Sequence, residues 1–339
     1  MNDGLRPVRL PANQPPRFYA GGAAIAALRG DAPKKFGPED WVASCTTLHG
    51  EQAAGLTTLP DGTLLRDAIA EHAANWLGDA HVAAFGAEPA LLVKLLDAGQ
   101  RLPVHCHPSD EFAATHLHSR YGKTEAWIIV GANENSTVHI GFTEDRSEDT
   151  VADWVARQDS AAMLAALNTV RVRPGDTVFV PAGVPHAIGA GVFIVELQQP
   201  TDLSVLLEWQ GFADDEAGGH LGIGFDTALR CVDRRGWADR LDELVRRDSG
   251  KDLFGHPEFF RAERLGAGAE LDASFSVLVV LDGTAVLRTE KAGEVPLAKG
   301  DTYAVPHAAG ESVVDGDVAA IRCLPPATPT PQLYIRSSV

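Results

Sequence analysis

The sequence predicts a mainly β protein with helical insertions, built from two β-barrels in tandem. Short runs rich in β-branched and aromatic residues, separated by Gly and Pro, indicate strands, and they form two blocks, at about residues 90–200 and from 256 onward. The two blocks share a phrase: "RPGDTVFVPAGVPHAIG" and "AKGDTYAVPHAAGESVV" both contain a Gly-Asp turn, a strand, a Pro-containing turn and a second strand. This similarity indicates an internal repeat of a β-barrel.

The helical and linking segments follow from changes in the hydrophobic pattern. Apolar positions recur at helical spacing in residues 64–79 and 150–168, so each stretch is predicted to form a helix, and another is expected at about 238–247. The acidic, Gly-rich stretch 211–224 is typical of a linker. We therefore expect an N-terminal region with the first barrel at 1–215, a linker and helix at 216–250, and the second barrel at 251–339.

The composition argues against nucleic-acid and membrane partners. The 339-residue chain has a formal net charge of -17 and no basic run, so it is a poor binder of polyanions. It has no apolar run near the roughly 18 residues of a membrane span and no signal-peptide pattern, so we expect a cytoplasmic protein. The cysteines lie far apart without a Cys-x-x-Cys pair, so we expect small core residues in a reducing compartment.

The stretch "PVHCHP" offers two candidate metal ligands. In a strand, side chains alternate between faces, so His105 and His107 point to one side and Cys106 to the other. The two imidazoles can therefore converge on one ion, whereas the thiol cannot join them. By itself a His-x-His pair is a weak signal, because histidines at this spacing are commoner than metal sites.

A second phrase strengthens the metal prediction. "GDTVFVPAGVPH" matches G-x5-P-x-G-x2-H, the second motif of the cupin barrels, and places His186 at the barrel mouth. Glu125 in "GKTEAW" is the candidate fourth ligand, since an unpaired carboxylate before an apolar strand would be costly. Three nitrogens and one carboxylate oxygen suit one Zn²⁺ per chain, with Fe²⁺ or Mn²⁺ as alternatives. The second barrel lacks this pattern and is expected to be metal-free.

At these positions the chain resembles the type I, zinc-dependent mannose-6-phosphate isomerases of the short bacterial form. The resemblance covers about residues 16–325 and is carried by "LLVKLLDAGQRLPVHCHPSDEFA", "GKTEAWIIV", "RPGDTVFVPAGVPHAIGAG", "VELQQPTD" and "LAKGDTYAVP". It implies two jelly-roll cupin barrels. The family pattern of metal ligands is Gln-x-His, then Glu, then His, and His105 here stands in place of the Gln.

The resemblance also implies roles for further side chains. Lys94 and Lys123 fall on the two lysines of the phosphate side, and the chain retains lysine there although it has only seven lysines among 29 basic residues. Glu196 and Asp202 match the family's catalytic carboxylates. The residues themselves support Glu196, because burial in the apolar run "VFIVELQQ" should raise the pKa of that carboxyl toward a usable base.

Two departures from the family pattern reduce the expected anion-binding capacity of the pocket. The family places an Arg at position 206, and this chain has Leu206. The family Ser two residues before the first ligand is Pro103 here. If no other cation takes their place, turnover of a phosphorylated sugar should be weak.

The resemblance implies a metal-dependent aldose–ketose isomerase that interconverts mannose 6-phosphate and fructose 6-phosphate through a cis-enediol. Catalytic roles are expected for Glu196, Lys123 and Asp202, and substrate binding for Lys94 and Lys123. An isomerase of an unphosphorylated or differently modified sugar, an Fe²⁺ dioxygenase and a non-catalytic sugar-binding cupin remain alternatives. The expected partner is a small sugar or sugar phosphate, and the protein is expected to be a monomer or homodimer.

Overall fold

The computed structural model describes residues 3–247 and 253–327, which form mainly strands. The strands are β1 Val8–Arg9, β2 Glu39–Val42, β3 Leu92–Asp97, β4 His105–Cys106, β5 Glu125–Ala132, β6 Thr137–Phe142, β7 Leu167–Arg171, β8 Thr177–Val180, β9 His186–Ile188, β10 Val192–Gln198, β11 Val205–Leu206, β12 Val245–Arg246, β13 Arg261–Leu265, β14 Glu270–Leu271, β15 Ser276–Thr289, β16 Gly293–Ala298, β17 Thr302–Val305 and β18 Ser312–Leu324. The prediction of a mainly β protein with helical insertions is confirmed.

Short helices connect and cover the strands. They are α1 Ala23–Arg29, α2 Leu65–Glu71, α3 Ala73–Leu77, α4 Asp79–Phe85, α5 Asp110–His116, α6 Glu148–Arg157, α7 Ser160–Ala165, α8 Glu216–Gly219, α9 Phe225–Ala228 and α10 Leu241–Leu244, with 3₁₀ turns at Leu229–Cys231, Ala238–Arg240 and His307–Ala309. In this part of the chain, no helix combines the length and apolar character that crossing a bilayer requires.

The described strands form three sheets. Two belong to the first block: one has the order β12-β8-β5-β10-β3-β2 and the other β11-β4-β9-β6-β7. The third follows the order β1-β17-β15-β18-β13, with β14 beside β18 and β16 beside β15. Paired strands within each sheet are antiparallel, as expected for jelly-roll barrels.

Alternation along β5 shows how the first block is buried on both faces. Trp127 and Ile129 belong to the apolar cluster that also contains Val138 and Ile188 of the second sheet. Ala126 and Ile128, which alternate with them, belong to a different cluster that extends into the third sheet. Because both faces of this strand are covered, β5 reads as a nearly continuous apolar run once it has passed Glu125.

The predicted helices are shorter than the hydrophobic pattern suggested, and a continuous helix over 64–79 is wrong. That stretch forms three helices, interrupted at His72 and at Gly78, whose φ of 82° is a conformation favourable only to glycine. The stretch 150–168 also divides, at Gln158, where φ is 51°. The Gln158 side chain replaces helical hydrogen bonds by donating to the carbonyl oxygens of Val155 and Leu207.

Two of the expected connecting segments contain regular structure. The stretch 238–247 forms a 3₁₀ turn, the four-residue α10 and strand β12, which pairs with β8. The expected linker at 211–224 contains α8. Position 250, where the linker was expected to end, and the stretch 328–339 of the second barrel lie outside the described residues.

The N-terminal segment joins the two blocks of strands. Strand β1 pairs with β17, so residues 8–9 extend the third sheet, although they precede the first block in the chain. One apolar cluster combines Val8, Val93 and Val195 with Val277 and Ile321. The division at residues 215 and 250 stays a prediction.

Candidate active site and metal centre

Three buried histidines converge at the edge of the five-stranded sheet. His105 on β4 lies opposite His186 on β9 in the strand register, and His107 follows β4 directly. Their ring centroids are 4.1–5.0 Å apart. One nitrogen of each ring can be chosen so that all three lie within 4.8 Å of one another. The structure thus brings together the histidines that the two motifs singled out.

Backbone carbonyls orient each imidazole. Nδ1 atoms donate hydrogen bonds of 2.8–2.9 Å to carbonyl oxygens, with the pairs His105–Pro103, His107–Leu203 and His186–Val184. A proton held on Nδ1 leaves the lone pair on Nε2, which is the common arrangement of metal-binding histidines. The buried Nε2 of His186 has no hydrogen-bond partner among the described residues.

Two of the histidines, His105 and His107, are held in the neutral form that a metal ion binds. Burial lowers the pKa of His105 well below its ordinary value, and neighbouring His186 lowers it further. Burial and the Lys123 ammonium lower the pKa of His107 to about 3. At neutral pH no proton has to leave these two rings before a metal ion binds.

Gly183 explains part of the motif that precedes His186. It has a φ of 87°, and its N–H donates a 2.7 Å hydrogen bond to the carbonyl of His107. A Cβ at this position would lie 2.7 Å from the carbonyl oxygen of Cys231. The turn therefore needs glycine, and it ties the segment of the third histidine to that of the second.

Glu125 and Lys123 complete the polar cluster from the facing sheet. Glu125 begins β5, and its carboxylate oxygens lie 3.0 Å from Nε2 of His107 and 3.3 Å from Nε2 of His186. Lys123 Nζ lies 3.0 Å from the same carboxylate, and the indole of Trp127 donates to it at 3.0 Å. Burial would raise the pKa of Glu125, but the Lys123 ammonium outweighs it and holds that pKa well below its ordinary value.

Glu196 lies in a row of side chains that crosses the six-stranded sheet. The strand register places Trp41, Lys94, Glu196 and Trp127 side by side on β2, β3, β10 and β5. Lys94 Nζ lies 3.5 Å from Oε2 of Glu196, and this oxygen makes no hydrogen bond within the described residues. Burial raises the pKa of Glu196 to about 7, and Glu125 contributes to the rise. Such a carboxyl can exchange a proton near neutral pH.

Two residues that the sequence did not indicate, Arg17 and Glu39, extend this network. Glu39 Oε2 lies 3.5 Å from Lys94 Nζ and accepts a 2.7 Å hydrogen bond from the indole of Trp41. Burial would raise the pKa of Glu39, but Arg17 and Lys94 lower it to about 2. Burial alone would lower the pKa of Lys94, and its neighbours Glu39 and Glu196 raise it instead. A signal for Glu39 was present, because "PEDW" repeats the Glu-x-Trp spacing of "TEAW".

The predicted catalytic residue Asp202 lies behind Arg17. Its carboxylate is 3.3 Å from Nη1 of Arg17 and accepts a hydrogen bond from the backbone N–H of His49. The cavity beside the histidines is lined by Arg17, Lys94 and Lys123 together with the carboxylates Glu39, Glu125 and Glu196, whereas Asp202 faces a different cavity. Five of the predicted site residues therefore line one cavity: Lys94, His105, Lys123, Glu125 and Glu196. His107 and His186 do not line it but contact Glu125, and Asp202 contacts Arg17.

Cys106 occupies the opposite face of the ligand strand, as side-chain alternation requires. It is fully buried in an apolar cluster with Val104, Val151 and Val205. Its Sγ lies 3.6 Å from Sγ of Cys231. This contact keeps the thiol away from the three imidazoles.

The residues present fit a divalent metal ion. Three imidazoles whose Nδ1 atoms are bonded to carbonyls, together with one carboxylate, form a donor set that suits zinc. The buried, unpartnered Nε2 of His186 is the observation that favours a metal most directly, since a buried polar atom without a partner is costly.

Comparisons with known proteins give several relatives by sequence. No protein-family model matches the chain. A Bacillus subtilis protein described as "Putative mannose-6-phosphate isomerase YvyI" is 27% identical over 237 residues, which are 68% of this chain and 73% of that protein. Mannose-6-phosphate isomerase ManA of Bacillus subtilis is 37% identical over 117 residues, which are 34% of this chain and 36% of the relative.

Solved structures extend the similarity to nearly the whole fold. A mannose 6-phosphate isomerase from Bacillus subtilis has a TM-score of 0.73 and 22% identity, covering 94% of this chain and 99% of the other. A mannose 6-phosphate isomerase bound with zinc and yttrium has a TM-score of 0.70 and 18% identity, covering 94% and 99%. The chain is thus similar in sequence and in fold to mannose-6-phosphate isomerases.

The two departures from the pattern expected from the sequence, Leu206 and Pro103, both line the cavity. Leu206 on β11 lies opposite His105 on β4 in the strand register, and it lines the cavity together with Pro103. Two arginines that could have reached this position are engaged elsewhere: Arg101 pairs with Glu208 and Arg120 with Glu88. The arginine that does line the cavity is Arg17.

Proposed function

We propose that the protein is a metal-dependent aldose–ketose isomerase that interconverts mannose 6-phosphate and fructose 6-phosphate. The observation that carries the proposal is the position of Glu196, whose carboxyl has a pKa of about 7 and lines the same cavity as His105, Lys123 and Glu125. The cavity therefore places a proton-transfer group beside a candidate metal centre. The names of the relatives support the same substrate.

The proposal gives each group a task. Glu196 takes the proton from C2 of the aldose, which gives a cis-enediolate with its negative charge on O1. A proton then moves from O2 to O1, and Glu196 returns its proton to C1 as the C2 carbonyl of the ketose forms. Lys123, 5% exposed, donates a hydrogen bond to the substrate oxygen on which negative charge develops. Lys94 holds Glu196 in place through their 3.5 Å ion pair.

His105, His107, His186 and Glu125 would hold the metal ion, and zinc suits this donor set best. When bound, the ion would stabilise negative charge on the substrate oxygens. The predicted cytoplasmic location and monomeric or homodimeric state remain proposals from the sequence.

An isomerase of an unphosphorylated sugar is the second candidate. It is favoured by the wall that Leu206 and Pro103 form, because neither side chain can donate a hydrogen bond to a phosphate. The two candidates make opposite predictions for the effect of the phosphate on kcat/KM.

The test is an assay of fructose 6-phosphate and fructose formation from mannose 6-phosphate and mannose by the zinc-loaded protein. We expect turnover of the phosphorylated sugar, and we expect Glu196→Gln to lower kcat at least a hundredfold while zinc content is retained. His139→Gln is the control, since His139 lies outside the histidine cluster. Faster turnover of mannose than of its phosphate would favour the second candidate, and no turnover of a sugar panel would contradict both.

A further inference from the structure

Three cations line the site cavity, and two of them are already committed to its interior. Lys123 Nζ lies 3.0 Å from Glu125 and 3.2 Å from Nε2 of His107, so it belongs to the metal-binding cluster. Lys94 lies 3.5 Å from both Glu39 and Glu196. The side chains of these lysines are only 6% and 2% exposed, so neither can reach a group at the rim of the cavity.

Arg17 differs from the lysines in exposure and in its contacts. Its side chain is 16% exposed, the most accessible of the three. Nε forms a 2.9 Å ion pair with Glu39, and Nη1 lies 3.3 Å from Asp202. Nη2 donates no hydrogen bond to any residue that the structure describes. The two carboxylates therefore contact Nε and Nη1 of the guanidinium, whereas Nη2 can donate to another acceptor.

The opposite wall cannot serve an anion. Leu206, which is 8% exposed, and Pro103 line the same cavity, and neither side chain offers a donor. An anionic group that entered here without a partner would lose its hydration without compensation. A guanidinium, by contrast, presents paired N–H groups that match phosphate oxygens.

We infer that Arg17 binds the phosphate monoester of the substrate at the rim of the cavity, with Asp202 and Glu39 as positioning residues for its guanidinium. The inference rests on the proposed function and names the residue that gives it specificity for a phosphorylated sugar. The phosphate does not react, so its contact with Arg17 is the same in the ground state and the transition state. Loss of that contact raises KM and leaves kcat nearly unchanged.

The experiment compares Arg17→Gln with Arg120→Gln, which removes an arginine from an exposed ion pair with Glu88. Steady-state kinetics are measured with mannose 6-phosphate, and binding of inorganic phosphate to the zinc-loaded protein is measured by calorimetry. In Arg17→Gln we expect KM to rise at least tenfold with kcat within threefold, and phosphate affinity to fall at least fivefold. Arg120→Gln should match the wild type in both measurements, and Arg17→Lys should recover part of the lost affinity.

A second variant covers the case in which Arg17→Gln does not fold. Asp202→Asn leaves the guanidinium in place but weakens its positioning, so KM should rise about threefold or more with little change in kcat. A hundredfold loss of kcat in Asp202→Asn would make Asp202 a catalytic residue and overturn its positioning role. Phosphate binding that survives Arg17→Gln would overturn the inference. If the wild type binds phosphate through Arg17 but isomerises no sugar, the proposed function fails and the anion site stands.

Discussion

At the scale of single residues, the fold sets the protonation states of the site's side chains before any ligand binds. The histidines carry their protons on Nδ1, Glu125 is ionised, and Glu196 titrates near neutrality. These states follow from burial and from neighbouring charges rather than from the ligand. Binding of metal and substrate therefore requires little proton rearrangement.

The metal centre should lose its ion when one imidazole is removed. We expect His107→Ala to reduce the zinc content from about one equivalent per chain to less than about 0.1 after dialysis, because the variant lacks one of the four proposed ligands. Elemental analysis measures the zinc content of each protein. The control is His139→Ala, which removes an imidazole outside the cluster and should leave zinc unchanged. Full zinc content in the His107 variant would contradict the ligand assignment.

The pKa of Glu196 predicts a pH dependence of activity. A base acts in its ionised form, so kcat/KM for mannose 6-phosphate should rise about tenfold per pH unit below pH 7 and level off above it. A profile from pH 5 to 9, with zinc content measured at each pH, tests this. A profile that stays flat from pH 5 to 7 would exclude Glu196 as the titrating base.

The same ionisation should affect stability. The folded pKa of Glu196, about 7, exceeds the ordinary value of 4.5, so its contribution to stability is present below about pH 4.5 and is lost as the pH rises through 7. The Glu196→Gln variant has no carboxyl to ionise at this position, so it does not lose this stability as the pH rises. In metal-free protein, the difference in Tm between the variant and the wild type should therefore favour the variant more at pH 8 than at pH 5.

Sequence reasoning could find the residues of the site that lie in a recognisable local pattern. His-x-His and the Gly-Pro-Gly-His spacing each place donors by turn and strand geometry, so they are visible in the sequence. Arg17 follows two prolines in a stretch without periodicity, and it reaches the cavity only through ion pairs with Glu39 and Asp202. Asp202 is 185 residues away in the chain. No local sequence pattern encodes a contact between two residues that lie so far apart in the chain.

At the scale of elements, β2 and β5 contain the same Trp-to-Glu hydrogen bond. These strands lie on either side of β3 and β10, which carry Lys94 and Glu196. In β2 and in β5, a tryptophan donates its indole N–H to the glutamate two residues before it, at 2.7 and 3.0 Å. Alternation puts both side chains of each Glu-x-Trp unit on one face of its strand. The six-stranded sheet therefore holds two fixed carboxylates beside its central ion pair.

Helix boundaries were less predictable than strands. Apolar spacing identified the buried faces at 64–79 and 150–168, but not the interruptions. Gly78 and Gln158 adopt positive φ values that tertiary contacts stabilise, such as the bonds from Gln158 to Val155 and Leu207. Hydrophobic periodicity does not carry that information, because the apolar face continues across the break.

Helix α6 should tolerate change on its outer face only. Asp153 is exposed and pairs with Arg157, so Asp153→Ala should change stability by at most about 0.5 kcal/mol and turnover by less than twofold. Val155 is buried against the apolar side of the ligand strand, so Val155→Ala should destabilise by about 2 kcal/mol. Denaturant unfolding and the isomerase assay compare the two. A hundredfold loss of activity in Asp153→Ala would assign the helix a direct role.

At the scale of the whole molecule, one apolar cluster combines residues of the N-terminal segment, the six-stranded sheet and the third sheet. Parts that share a core should unfold together, so we expect one calorimetric transition despite the two sequence blocks.

Leu10→Ala, which truncates a buried member of that cluster, should lower the single Tm by about 5 °C or more. Leu5→Ala is the control, because Leu5 is 46% exposed. Two separate transitions, with only one shifted by Leu10→Ala, would show that the two blocks unfold independently.

The pairing of β1 with β17 also has a consequence for synthesis on the ribosome. Arg9 contacts Asp301, 292 residues later in the chain. At about 5–20 residues per second, strand β1 waits roughly 15–60 s for its partner strand to be made. Strand β1 is thus translated long before the strand that pairs with it, and the segment that leads to Arg17 reaches its final anchorage only after Asp301 has been translated.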